Sequence, residues 1–250
     1  MHKLFLLFLL VFPLLFTSCD DNDGYSLDKF WVSMATVENP NNSHSFYLRL
    51  DNGDKLWTAA TSLHSYRPKT GQRILADYTI LSDRPDSVGY KHDVKLNNAY
   101  NILTKSVFDI TPATQDSIGN DPIGIRDMWI GGGFLNVRFY FEANNKRHFI
   151  NLVRDSSNVY DDDSIHLEFR HNAYNDEKKY RAGGWASFDL KPLLADLPTQ
   201  TEKVNFTIHV KGLDGNDKTH ELVFDPSTQA VSPKGYSREE YNEGQDVPVE

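Results

Sequence analysis

The densest run of side chains able to do chemistry is His166-Leu167-Glu168-Phe169-Arg170-His171-Asn172, followed at once by Tyr174, Asn175 and Asp176. Two imidazoles around a glutamate suggest metal-assisted hydrolysis, but the His-Glu-x-x-His motif needs a helix to bring both rings to one face. Here apolar and polar residues alternate as in a strand, and an offset of five puts His166 and His171 on opposite faces. Arg170, His171, Asn172, Tyr174 and Asp176 read instead as a binding cluster on a recognition loop over 170–184. The structural alternative is an Asx-turn network that closes that loop. His148, His209 and His220 lie on other strands with the spacing of ordinary strand residues. Asp161-Asp162-Asp163 lacks the Asp-x-Asp-x-Asp-Gly…Glu order of a calcium loop and reads as a solvated turn. Gly131-Gly132-Gly133 is followed by no Gly-Lys-Ser/Thr, so it marks a corner or bulge, not a phosphate cradle. Catalytic residues, metal ligands and cofactors are therefore all read as none, with carboxylates paired from distant loops left open.

One further residue has chemistry of another kind. Cys19 is the only cysteine in 250 residues. Lys3, an apolar run from Leu4 to Phe16 and small Thr17 and Ser18 precede it, which is the anatomy of an export signal over 1–18. An apolar run of that length spans roughly 20 Å as a helix, short of the ~30 Å hydrocarbon core. The reading is a lipoprotein whose Cys19 carries acyl chains; two or more such chains make attachment stable. Residues 19–28 follow as an acidic tether, with Asp20-Asp21-Asn22-Asp23-Gly24 at its start. A tract of this kind is similar to those that direct lipoproteins to the outer-membrane surface, so both periplasmic and surface-exposed placement fit.

The elements that must position these groups are strands. The net charge is −9, with 10 basic against 12 acidic residues in 19–110 and 15 against 23 in 111–250. Neither half offers a basic surface, which argues against nucleic acid as a partner. Alternation places strands at 30–35, 45–51, 56–58, 73–81 and 94–103, with a hairpin turn at Asp51-Asn52-Gly53-Asp54. Five short strands without a crossover helix predict an OB-like barrel over 29–110. Residues 111–122, with two prolines and almost no apolar side chain, read as a linker. Seven further strand patterns between Ile123 and Phe224 predict an antiparallel β-sandwich over 123–231, with one helical turn at 191–197. Residues 232–250 read as a loose acidic tail. Trp31, Trp57, Trp129 and Trp185 fall in strand patterns and are assigned to the core, with a sugar-stacking platform as the functional alternative.

Trp129, Gly132-Gly133-Phe134-Leu135-Asn136-Val137, His148, Leu152, Leu167-Glu168-Phe169-Arg170-His171-Asn172 and Ser187-Phe188-Asp189-Leu190 resemble the NigD-like lipoproteins of Bacteroidetes-type bacteria. The likeness reaches back through Tyr78 and Gly71-Gln72-Arg73-Ile74 to the lipoprotein start. It implies an all-β chain, an N-terminal OB-like barrel and a C-terminal β-sandwich. It also implies a bacteriocin-immunity role, and it supplies no catalytic residues to carry over.

The expected protein is a cell-envelope lipoprotein, lipid-anchored through Cys19 and placed at the outer membrane. It is expected to act without catalysis by binding a protein partner in the envelope. The alternatives are a glycan-binding accessory lipoprotein and, behind it, a hydrolase.

Overall fold

The structure, a computed structural model, describes residues 25–39, 41, 44–84, 89–197, 202–225, 236, 237, 239 and 249. The signal segment, Cys19, the acidic tract at 20–24 and most of the tail lie outside the described residues.

Five strands close the barrel: β1 (Trp31–Glu38), β2 (Tyr47–Leu50), β3 (Lys55–Thr61), β4 (Arg73–Asp83) and β5 (His92–Asn101), in the order β1-β2-β3-β5-β4. The strand alternation turns Ala35, Val37, Leu48, Leu56, Ile74, Ala76, Val94 and Leu96 inward, where they form one core. Gly53 makes the β2–β3 turn at φ 86°, and its amide donates to the Leu50 carbonyl at 2.9 Å, as the Asn-Gly pair predicts.

The sandwich begins earlier than expected. Residues 103–110, assigned to the barrel from sequence, form β6 (Leu103–Ser106) and β7 (Phe108–Ile110), which pair with sandwich strands. The barrel therefore passes into the sandwich through Ile102 alone, and that residue is buried. Residues 111–122 are not an interdomain linker. They carry a short helix, α1 (Gln115–Ile118), and cross from β7 at the edge of one sheet to β8 (Gly124–Gly131) at the edge of the other. Such a surface crossing shares the polar, proline-containing composition of a linker, which is why composition alone misassigns it.

β9 (Phe134–Ala143), β10 (Phe149–Asp155), β11 (Ile165–Asn172), β12 (Tyr180–Asp189), α2 (Lys191–Ala195), β13 (Val204–Lys211) and β14 (Asp217–Phe224) complete the sandwich. Its two sheets run β14-β13-β11-β10-β7 and β6-β12-β9-β8. The hairpin-linked pairs are antiparallel, whereas β6·β12, β7·β10 and β11·β13 run parallel. Between the sheets lie Leu135, Val137, Phe139, Phe141, Leu152, Leu167, Phe169 and Phe188. Gly184 sits within β12 because a Cβ there would meet the Phe139 ring at 2.9 Å.

Barrel and sandwich are joined by a third core. Val32, Met34 and Leu75, on the outside of β1 and β4, pack with Ile102, Trp129, Trp185 and Tyr236. Tyr236 belongs to the stretch read as a loose tail, yet it is buried with its ring 4.7 Å from that of Trp185. Val249 likewise bridges to His148. An aromatic residue isolated in an acidic, Pro- and Gly-containing run gives no periodic signal, so its anchoring role is invisible to pattern reading.

Candidate functional site

The site is built from β11 and what surrounds its C-terminal end. Antiparallel pairing with β10 continues through Ile150 opposite His171 and Phe149 opposite Asn172. Arg170, His171 and Asn172 are thus strand residues, and the loop expected over 170–184 shrinks to 173–179. Pairing with β10 overrides the polar composition of the run. Alternation puts His171 on the same face as Leu167 and Phe169, while His166, Glu168 and Arg170 face outward.

His171 is buried against Phe141 and His148, whose ring centroids lie 5.0 Å from its own. His148 Nδ1 and His171 Nε2 are 2.8 Å apart, His171 Nδ1 donates to the Pro122 carbonyl at 3.1 Å, and His148 Nε2 donates to Asp176 Oδ2 at 3.1 Å. The two outer partners are acceptors only, so both outer ring nitrogens carry hydrogen. Burial, then the neighbouring His148, pushes His171 down from 6.5 to about 4. Burial opposes ionisation of Asp176, but the Asn144 amide at 2.6 Å, His148 and the Asn145 amide outweigh it and hold the carboxyl below its usual range.

The rest of the predicted cluster divides. Asn172 Oδ1 accepts the Tyr174 amide at 2.9 Å, an Asx turn, and its Nδ2 donates to the Ser117 carbonyl at 3.0 Å. Tyr174 and Asn175 take left-handed φ of 49° and 55°, with Lys146 Nζ donating to both their carbonyls. Arg170 points away from His171. It pairs with Glu168, its Nε donating at 2.6 Å, and lines a separate groove with Tyr160, His209, Lys211 and Asp217. Of the five residues singled out, His171 and Asp176 share a cleft, Asn172 and Tyr174 shape its loop, and Arg170 lies elsewhere.

That cleft has a volume of about 670 Å³ and sits at one end of the sandwich. Asp121, Pro122, His171, Ala173 and Asp176 form its wall, and Glu142, Lys178 and Arg181 its charged rim. Arg181 pairs with Glu142 at 3.3 Å and lies over the Tyr140 ring. Asp121 Oδ2 accepts the Ala173 amide at 2.7 Å. The wall groups are thus spent on one another and on backbone, while Lys178 and Arg181 are exposed. Sequence reasoning missed His148, whose inward position beside Ile150 and Leu152 was the available signal, and it missed the rim altogether.

The remaining histidines do not converge on this site. His166 Nδ1 and His209 Nε2 are 2.9 Å apart on the outer face, with Asp162 on the other His166 nitrogen at 2.8 Å and Tyr160 stacked on the His166 ring. Among the described residues no group of three or more His, Cys, Asp or Glu is arranged to hold a metal. Trp129 and Trp185 are core residues of the domain seam. Trp57 lies on the outside of the barrel beside Tyr47 and Tyr90. No helix among the described residues is long and apolar enough to cross a membrane.

A closed β1-β2-β3-β5-β4 barrel joined through one buried residue to a two-sheet sandwich defines a two-domain, all-β protein of the OB-plus-sandwich class. Residues 34–102 match the NigD-like N-terminal OB domain and residues 106–224 the NigD-like C-terminal β-sandwich domain. The chain belongs to the NigD-like family. The N-terminal match ends at Ile102, the junction that the strands mark, and the C-terminal match begins at Ser106, the last residue of β6.

Similar solved structures include a Bacteroides vulgatus protein of unknown function, 28% identical with a TM-score of 0.72, matched over 86% of this chain and 99% of that one. A Parabacteroides distasonis protein described as toxin-related is 37% identical with a TM-score of 0.67, over 80% and 95% of the two chains. A NigD-like immunity protein from Bacteroides caccae shares the fold at 21% identity and a TM-score of 0.60, over 82% and 100%. No curated protein matches the chain.

Proposed function

We propose that this protein is a lipid-anchored component of the cell envelope that binds a protein partner in the sandwich cleft without catalysis, in an immunity-like role. The observation that carries this reading is the division of labour in the cleft. The groups with acid–base potential, His171, His148 and Asp176, are buried and bonded to each other and to backbone, whereas the rim presents exposed Lys178 and Arg181 beside the half-buried carboxylate of Glu142. A general acid or base needs a proton position open to substrate; a rim of mixed charge suits recognition of a complementary protein surface. The descriptions of the toxin-related and immunity-protein relatives support the immunity form of this reading.

Attachment through Cys19 and placement at the outer membrane, periplasmic or surface-exposed, belong to the same proposal. A Bacteroides fragilis protein that shares the fold at 9% identity and a TM-score of 0.56 is described as a putative lipoprotein, which supports this part of the reading. A glycan is the rival ligand, supported by Tyr47, Trp57 and Tyr90 on the β2–β3 side where OB barrels take oligosaccharides. Against it, Tyr47 and Tyr90 stack on each other at 4.6 Å and Trp57 tilts by 44° to Tyr47, so the rings cover one another and do not form a common platform.

The test is photo-crosslinking in living cells from a probe at position 178, at the rim, or at position 223, on the outer edge of β14. A single protein captured from 178 and absent from 223 supports the proposal. Equal capture from both positions, or from neither, would contradict it.

A further inference from the structure

We propose that the corner of the barrel formed by Tyr25, Leu27, Phe30 and Leu81 rests against the zwitterionic phospholipid surface in which the chain is anchored. The inference rests on the lipid attachment at Cys19 and adds the orientation of the folded protein on the membrane.

The start of the described chain is fixed to the barrel. β1 runs antiparallel to β4 with Trp31 opposite Tyr78, so the residues before Trp31 run beside the end of β4. Tyr25 Oη donates to Asp83 Oδ1 at 2.6 Å, and its ring meets Trp31 and His92 edge-on at 6.4 and 5.9 Å. The Lys29 amide closes a turn on the Ser26 carbonyl at 3.0 Å. Leu81 lies two residues before Asp83, the Tyr25 partner, at the bulge that shifts the β4–β5 register between Ile80 and Ser82.

This corner is unusually apolar on its outside. Among the described residues, ten large apolar side chains are exposed, and Tyr25, Leu27, Phe30 and Leu81 are four of them; Leu27 is 75% exposed. The other six are scattered over the sandwich. Exposed apolar side chains gathered at one end of a domain mark an interaction site.

Chain length names the occupant. Cys19 and Tyr25 are six residues apart, and six residues reach at most about 20 Å when fully extended. With acyl chains on Cys19, Tyr25 is held within that distance of the lipid. The local charges do not select an anionic surface, since Arg84 is paired with Asp93 at 2.5 Å and Asp28 sits beside Lys29. Apolar contact with neutral headgroups is what remains. Ile102 lies at the opposite end of β5 from His92, so this pose carries the sandwich and its cleft away from the bilayer.

The experiment takes the chain from Cys19 onward and couples its only thiol through a maleimide to phosphatidylethanolamine in phosphatidylcholine vesicles. Amide hydrogen exchange is compared with the uncoupled protein. Residues 25–30 and 80–84 should exchange about tenfold more slowly on vesicles, while the 156–164 loop is unchanged. Leu27→Asn with Leu81→Asn, on the same tether, should lose that slowing and keep the wild-type melting temperature. The proposal is overturned if coupling leaves 25–30 unchanged, if the double variant is slowed equally, or if slowing appears without vesicles as protein concentration rises, which would identify a second copy as the occupant. Because the coupling is chemical, the outcome does not depend on whether cells lipidate Cys19; that reading fails separately, if wild-type protein takes no acyl label in cells.

Discussion

Arg73 in the barrel donates through Nη2 to Oδ1 of Asn136 in the sandwich at 2.7 Å, across a seam closed to water. The same guanidinium grips Asp51 with two bonds of 2.6 and 3.0 Å, Asn136 Nδ2 returns a bond to Asp51 at 3.0 Å, and Ser187 donates to Asn136 at 2.7 Å. Both charged side chains are fully buried. A buried pair of this kind is a strong specifier of geometry, because every misaligned arrangement leaves a charge without a partner. Its bonds to Asn136 and Ser187 tie barrel to sandwich across the seam.

Arg73→Met should therefore destabilise the whole protein by about 3–5 kcal/mol, since Asp51 is left buried and unpaired. Denaturant unfolding followed by Trp fluorescence and by circular dichroism should give coincident single transitions in the wild type. Arg73→Met with Asp51→Leu should recover part of the loss. A biphasic wild-type transition would mean that the seam does not couple the domains.

The His171 prediction concerns pH. Its folded pKa lies below its ordinary value, so the unfolded state takes up the proton first as pH falls. The stability held by neutral His171 is complete above 6.5 and is lost as pH falls toward about 4. Asp176, also depressed, adds a loss that sets in lower, below its ordinary value of 3.8. The shift at His171 corresponds to up to about 3 kcal/mol. Unfolding free energies measured from pH 7.5 to 4 should show this slope in wild type and a flatter one in His171→Asn, at a lower overall stability.

Gly184→Ala places a methyl against a buried ring. The Phe139 atoms at 2.9 and 3.1 Å from the new Cβ belong to the sandwich core and have little room to move. A loss of roughly 1–3 kcal/mol is expected. Gly215→Ala, in the β13–β14 turn with open space around its Cβ position, is the control; its φ of 79° makes it strained yet not overpacked. A larger loss at 215 than at 184 would contradict the close-approach account.

Tyr236→Ala tests the docked tail. Its ring fills the space between Trp129 and Trp185, and its hydroxyl donates to Asp127 at 3.3 Å. Truncation should cost about 3 kcal/mol, read as a lower denaturant midpoint with an altered Trp fluorescence of the folded state. An unchanged midpoint would mean that the ring of Tyr236 contributes nothing to the seam.

Barrel and sandwich were legible because their strands alternate: Leu135, Val137, Phe139 and Phe141 announce an inner face with no knowledge of their neighbours. The site was legible only in part. His171 and Asp176 stood out as polar groups in an unusual run, but their partner His148 lies 23 residues away from His171, and only pairing of β10 with β11 brings the two together. Arg170 was grouped with His171 by adjacency, although adjacency in a strand sends neighbours to opposite faces. The seam was invisible for the same reason, since Asp51, Arg73, Asn136 and Ser187 come from four separate strands or turns. Residues 111–122 misled because a surface crossing and a linker have the same composition.

Selection of a protein partner by the cleft rim rests on the exposed charges of Lys178 and Arg181. The most direct measurement is the affinity of the partner captured from position 178 for wild type and for Lys178→Glu with Arg181→Gln, at several salt concentrations. The account predicts binding weakened by about a hundredfold, with a shallower salt dependence and unchanged stability. Unchanged affinity in that variant, together with loss of binding in Trp57→Ala with Tyr90→Ala, would place recognition on the barrel and contradict the claim.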